Sequence, residues 1–192
     1  TLFTYDGFVQ PHLLALCPEL RLQTLVVSAV SKSYAMTGWR LGYAAGPEHV
    51  ITAMATLQGQ STSNPCSITQ AAAVAALTGP QECVAHMVEE FARRRAYVLE
   101  RLTAIRGVTC AKPQGAFYVF PGIDAFLGRR IGSRVLRSAC DLAAYLIEEF
   151  ALAVVAGEDF GAPANIRISY ATSMANLEKG MDRLERALAP LA

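Results

Sequence analysis

Short apolar runs of strand character alternate along this chain with segments of helical period, and that alternation most limits the folds open to it. "TLVVSAV" (24–30) and "WRLGYAAG" (39–46) read as strands, and "PEHVITAMATLQ" (47–58) as a helix opened by its proline. "SITQAAAVAALTG" (67–79) reads as a second helix, with Ser67 as N-cap and Gly79-Pro80 as its stop. The strongest period follows. Val84, Val88, Phe91, Val98, Leu102 and Ile105 recur at helical spacing, so residues 81–106 form a long amphipathic helix, with Glu89–Arg93 and Glu90–Arg94 pairs on another face. Beyond it, "GAFYVFPGI" (115–123) reads as a strand and "SRVLRSACDLAAYLIEEF" (133–150) as a helix. "ALAVVAG" (151–157) and "NIRISYA" (165–171) are strands before a closing amphipathic helix capped by Ser173. The expected class is layered α/β or α+β, with 81–106 bridging two lobes.

Composition narrows the functions. The 192 residues are 53% apolar, enough for a sizeable core, and 17 basic against 16 acidic residues leave a formal charge of +1. A nucleic-acid-binding stripe and a basic membrane patch are therefore not expected, and any strong anion site must be local. No apolar run approaches the roughly 18 residues of a membrane helix, and no leader pattern opens the chain, so a cytoplasmic protein is expected. The five cysteines are scattered without metal or disulfide spacing and read as reduced, mostly core thiols. His12, His49 and His86 lie far apart, so no metal site is expected.

Two cations stand out in "SAVSKSYAMTGWRLGYAAGP" (28–47): Lys32, between Ser31 and Ser33, and Arg40 eight positions later. Lys32 could simply reach solvent along its aliphatic stem. An amine beside a cation and partly out of water also sheds its proton more readily, and it can then attack a carbonyl. Arg40, between Trp39 and Leu41, needs an anion if it is buried; a carboxylate of the chain would serve, and so would a phosphate held by both arms of the guanidinium. Gly38 and Gly42 would let the backbone turn or approach closely. A Ser-Lys dyad is disfavoured, because the S-x-x-K spacing meets Ala29. Together, an activatable lysine and a phosphate-holding arginine describe a pocket for a phosphorylated aldehyde such as pyridoxal 5′-phosphate (PLP).

"SKSYAMTGWRLGYAAGP" resembles the lysine segment, S-K-x(5)-G-x-R-x-G, of the fold-type I, aspartate-aminotransferase-like PLP enzymes (class I/II). "STSNP" (61–65) is similar to the loop that in this family's dimers enters the neighbouring active site. "NIRISYATS" (165–173) resembles the strand whose arginine clamps the substrate carboxylate, and "PQGAFYVFPGI" (113–123) a further strand with Gly115 and Phe117 near the substrate. By parity alone, Arg167 shares a strand face with Ser169, opposite Ile166, Ile168 and Tyr170. From that placement it could bind a carboxylate or form a structural ion pair.

The resemblance covers nearly the whole chain, and it implies the C-terminal half of such an enzyme. Residues 1–80 would be the remainder of the PLP-binding large domain, 81–106 a connecting helix, and 107–192 an α+β small domain. It implies Lys32 as the catalytic residue that carries PLP. Arg40 and Ser31 would complete the cofactor site, with Ser31 or backbone groups compensating for Ala29, where relatives keep a hydroxyl. Arg167 would bind substrate, and Ser63 and Asn64 would serve the partner subunit of a homodimer. Amino acids and 2-oxo acids are the implied substrates. The aspartate and tyrosine that hold the cofactor ring are expected upstream of Thr1, so the chain alone should be a poor or inactive catalyst. A PLP-dependent lyase or synthase, or a non-catalytic domain of a transcription regulator, are the alternatives of the same fold.

Overall fold

The computed structural model describes residues 2–191, and its chain divides into two compact units on either side of Met87 and Val88. The first unit begins with α1 (Leu13–Leu16), capped by His12, whose Nδ1 accepts from the Leu14 amide, and a 3-10 turn over Pro18–Gln23. An antiparallel ribbon follows, β1 (Val26–Ala29) against β2 (Gly42–Ala45), with Val26 opposite Ala45 and Ala29 opposite Gly42. Both strands are shorter than the apolar runs predict. Val30 bends inward with no exposed surface, and Arg40 ends a 3-10 turn (Thr37–Trp39) at φ +54°, a conformation that no strand contains.

The helices α2 (Glu48–Ser61) and α3 (Ser67–Thr78) complete this unit. Cys66, not Ser67, is the N-cap of α3, because Ser67 already has helical geometry; the Gly79 amide closes the other end on Ala75 O at 2.9 Å. The first unit's core is small: Val30, Met36 and Ala73 are buried, with Tyr34, Leu41, Ala72 and Ala76 packed around them. No residue of α2 is buried, and Val27, Leu57 and Ile68 are each about 70% exposed, at 70%, 72% and 71%.

The long helix α4 (Glu82–Ala104) contains the division between the units. Its period behaves as the sequence predicts, with Val98 and Leu102 wholly buried. The surface pairing differs. Glu90 takes both Arg94, at 2.8 Å, and Arg93, at 3.0 Å, in place of a Glu89–Arg93 pair.

The second unit carries β3 (Tyr118–Val119), β4 (Arg130–Ile131), β5 (Arg134–Val135), α5 (Ala139–Phe150), β6 (Val155–Ala156), β7 (Ile166–Ser169) and α6 (Met174–Leu188). Residues 133–150 are thus not one helix. Gly132, at φ +56°, turns β4 back on β5, and α5 starts only where Ser138 Oγ accepts from the Asp141 amide at 3.1 Å. The central sheet has the order β3-β7-β6, antiparallel throughout. Val119, Ile166 and Ile168 form its buried face and join Leu142, Leu146, Leu177, Met181, Leu184 and Leu188 in the core. Ser173 caps α6 as expected, its Oγ accepting from the Asn176 amide at 3.3 Å.

Across the chain the fold is mixed helix and strand. Among the described residues no helix is long and apolar enough to cross a membrane. The cysteines correct the sequence expectation. All five are free, but Cys66, Cys83 and Cys140 are exposed and none is in the core. Each of these three stands one residue from the first residue of α3, α4 or α5.

Candidate active site

The segment from Val30 to Leu41 is a loop nailed down at two points. Val30 and Met36 are buried against Ala73 of α3, and of the five residues between them 31–34 form a turn, with the Tyr34 amide bonded to Val30 O at 3.2 Å. Lys32 sits on that turn and is exposed, with half-buried Ser31 beside it. Tyr34 donates its hydroxyl to Gln81 Oε1 at 3.0 Å, and Gln81 in turn donates to Ala76 O and Gly79 O at the end of α3. The turn is therefore tied to α3 by both apolar packing and hydrogen bonds.

Arg40 closes the same loop. Because Ala29 faces Gly42 across the ribbon, Lys32 and Arg40 leave from one end of it, three residues past the first strand and two before the second. A Cβ on Gly42 would lie 3.2 Å from Ser28 O, so the close approach expected there is real, whereas Gly38 has open space around it. Lys32 and Arg40 are both exposed, so neither the partial desolvation weighed for the lysine nor a burial that would demand an anion at the arginine is found. Arg40 donates to Thr37 O at 2.8 Å, and among the described residues no carboxylate pairs with it or with Lys32. Ala35 (φ +53°) and Arg40 (φ +54°) both hold left-handed backbone, each costing on the order of 1–2 kcal/mol, so packing rather than local preference maintains this loop.

Arg40 also lines a cleft of about 430 Å³ together with Trp39, Gln58, Asn64, Cys66 and Thr69. This brings the arginine into one cavity with Thr62, Asn64 and Pro65 of the "STSNP" segment, whereas Ser63, at φ +64°, does not line it. Lys32 and Ser31 do not line it. The sequence reading missed Cys66. Its sulfur stands at the N-terminus of α3, where the amides of Thr69 and Ile68 hold the thiol below its ordinary value. A cysteine one residue before an apolar helical run was the available signal.

Arg167 belongs to the second unit. It projects from β7 on the face opposite buried Ile166 and Ile168, as its parity predicts. Tyr118, opposite Ser169 in the register, lies on that same face. The guanidinium carbon is 4.7 Å from the Tyr118 ring centroid and 4.5 Å from that of Phe160. No acidic residue pairs with it among the described residues, so the structural ion pair is not the arrangement found. Phe160 lies on a 3-10 turn (Glu158–Phe160), which no periodicity marks. Phe117, two positions along the chain from Gly115, stacks on Phe91 at 5.8 Å between centroids.

The model of the family described as aminotransferase class I and II matches residues 3–184. The chain belongs to that family. The aspartate aminotransferase of Geobacillus stearothermophilus is 47% identical over 184 residues, which is 95% of this chain and 46% of that protein. The aspartate/prephenate aminotransferase of Nitrosomonas europaea is 43% identical over 97% of this chain and 47% of its own length. In three dimensions, the aspartate aminotransferase of Rhizobium meliloti superposes with a TM-score of 0.94 at 46% identity, covering 98% of this chain and 47% of that one. The chain therefore has the fold of about half of such an aminotransferase, and it spans about half the length of the curated relatives that it matches.

Proposed function

We propose that this chain serves as the C-terminal half of a PLP-dependent aminotransferase that moves an amino group from an amino acid to a 2-oxo acid, with aspartate as the donor suggested by its relatives. The observation that carries the reading is the pair of cations at one end of the β1–β2 ribbon, an amine and a guanidinium without acidic partners among the described residues. That donor set fits PLP. An aldehyde needs an amine and a phosphate dianion needs a guanidinium, and a pair already neutralised by carboxylates would fit neither.

Lys32 Nζ holds the cofactor and, when free, takes and returns the proton at the substrate Cα. Arg40 binds the phosphate group, with the Ser31 hydroxyl as a further donor. When bound, the cofactor supplies the electron sink that makes the Cα proton acidic. Arg167 holds the substrate carboxylate, and a guanidinium against two rings with no acidic partner among the described residues supports that role. Residues 1–80 belong to the large domain, 81–106 connect it to the small domain of residues 107–192, and Ser63 and Asn64 serve a second subunit of a homodimer. The test uses the full-length protein with PLP. Borohydride reduction should fix the cofactor, as an increase in mass, on the peptide that contains Lys32; a label on any other lysine refutes the assignment.

A further inference from the structure

A guanidinium that receives a substrate carboxylate needs two things, an open fork and a fixed direction. An ion pair with a carboxylate of the protein would give the direction and block the fork. Arg167 has no such pair among the described residues, yet its guanidinium is not left to wander over the sheet face. Two rings approach it from the two sides of β7: Tyr118 from β3, at 4.7 Å, and Phe160 from the turn after β6, at 4.5 Å. Rings attract a cation through their faces and leave its N–H edges free for an anion.

Tyr118 owes its place to strand register, but Phe160 owes its place to a purpose-built turn. Gly157 O accepts from the Phe160 amide at 2.9 Å and from the Ala162 amide at 3.0 Å, while the Gly157 amide donates to Asn165 O at 2.8 Å. Glu158 Oε1 accepts from the Cys140 amide at 3.1 Å, which ties the turn to the first residues of α5. Burial works to raise the Glu158 carboxyl, but backbone amides outweigh it and hold the group below the usual range, so this tie stays ionised near neutral pH. Phe120 meets the Phe160 ring edge-on, with centroids 6.0 Å apart. A side chain 47% exposed is thus fixed from several directions, with the cation of Arg167 under its ring.

We infer that Phe160 is a positioning residue, whose ring, together with that of Tyr118, aims the Arg167 guanidinium at a substrate carboxylate without occupying its hydrogen-bonding edge. This rests on the reading of Arg167 as the carboxylate site. Phe160 acts on substrate only through the arginine, so its effect should appear in binding and not in the proton transfer at Cα.

The test measures binding of succinate, a dicarboxylate without the reacting amine, to the PLP-loaded full-length protein by calorimetry, alongside steady-state kinetics with aspartate. Phe160→Leu should weaken succinate binding roughly five-fold and raise KM for aspartate similarly with kcat unchanged, and Phe160→Trp should restore both. In an Arg167→Ala background, Phe160→Leu should have no further effect. Unchanged binding in Phe160→Leu, or the same loss with and without Arg167, overturns the inference while leaving Arg167 in place. Unchanged succinate binding in Arg167→Ala overturns the carboxylate reading itself. Phe160→Met provides the same comparison if the leucine variant does not fold.

Discussion

Replacing Gly157 by alanine tests how rigid the turn after β6 is. An added Cβ would lie 2.1 Å from Ala162 O and 2.5 Å from Asn165 O, both backbone atoms that cannot swing aside as a side-chain tip would. Relief requires the 157–165 loop to open, and this breaks some of the hydrogen bonds that Gly157 makes to Asn165, Phe160 and Ala162, at 2.8, 2.9 and 3.0 Å. Two lost backbone bonds at about 1 kcal/mol each, with a further 1–2 kcal/mol of residual overpacking, give a destabilisation of about 3–4 kcal/mol. The measurement is native-state hydrogen exchange of the β6 and β7 amides, supported by urea unfolding followed by far-UV circular dichroism. Gly59→Ala is the internal control: it sits in α2 with nothing within 4 Å, so the same change should stabilise the chain by up to about 1 kcal/mol. If Gly157→Ala lies within about 1 kcal/mol of the parent protein, the loop is not the rigid support described here.

Arg101 joins α4 to α6, its Nε 2.6 Å from Glu185 and an amino group 2.6 Å from Asp182, with the Tyr97 hydroxyl also bonded to it. Arg101→Met should cost about 1–2 kcal/mol in urea unfolding, and less at high salt, because both carboxylates are partly solvated; a salt-independent loss would point to packing instead. The thiols should separate by pH. Cys66 is held low by the amides of Thr69 and Ile68, whereas partial desolvation and the charge of Glu158 push Cys140 up. The thiolate is the reactive form, so iodoacetamide should modify Cys66 at a lower pH than Cys140, as read by peptide mass mapping, and the reverse order would contradict these environments.

Long elements with one dominant face were legible in the sequence. The α4 period and the Ser173 cap hold because each depends on neighbours within a turn or two. The parity of β7 holds because Ile166 and Ile168 must face the core, which sends Arg167 outward. Elements decided by a few residues were not legible. The helix-forming composition of 133–150 is no guide where Gly132 turns the chain, so the stretch before Ser138 becomes a hairpin. The left-handed backbone of Arg40 and the packing of Val30 cut two strands short, and neither follows from their apolar composition. The lysine and arginine motif was visible as spacing, but the exposure of both cations is a property of the surrounding surface. Phe160 was invisible because its place comes from a turn held by backbone hydrogen bonds within residues 157–165 and by the tie from Glu158 to the Cys140 amide, which leave no period in the sequence.

The anchoring of the lysine turn through Val30 and Met36 onto Ala73 makes the rear of that turn a control point. A bulkier residue at position 73 would press on Val30 and Met36 and shift the turn that carries Lys32. On the function proposed for Lys32, the small side chains of α3 would therefore govern the amine at a distance, leaving the motif itself unaltered.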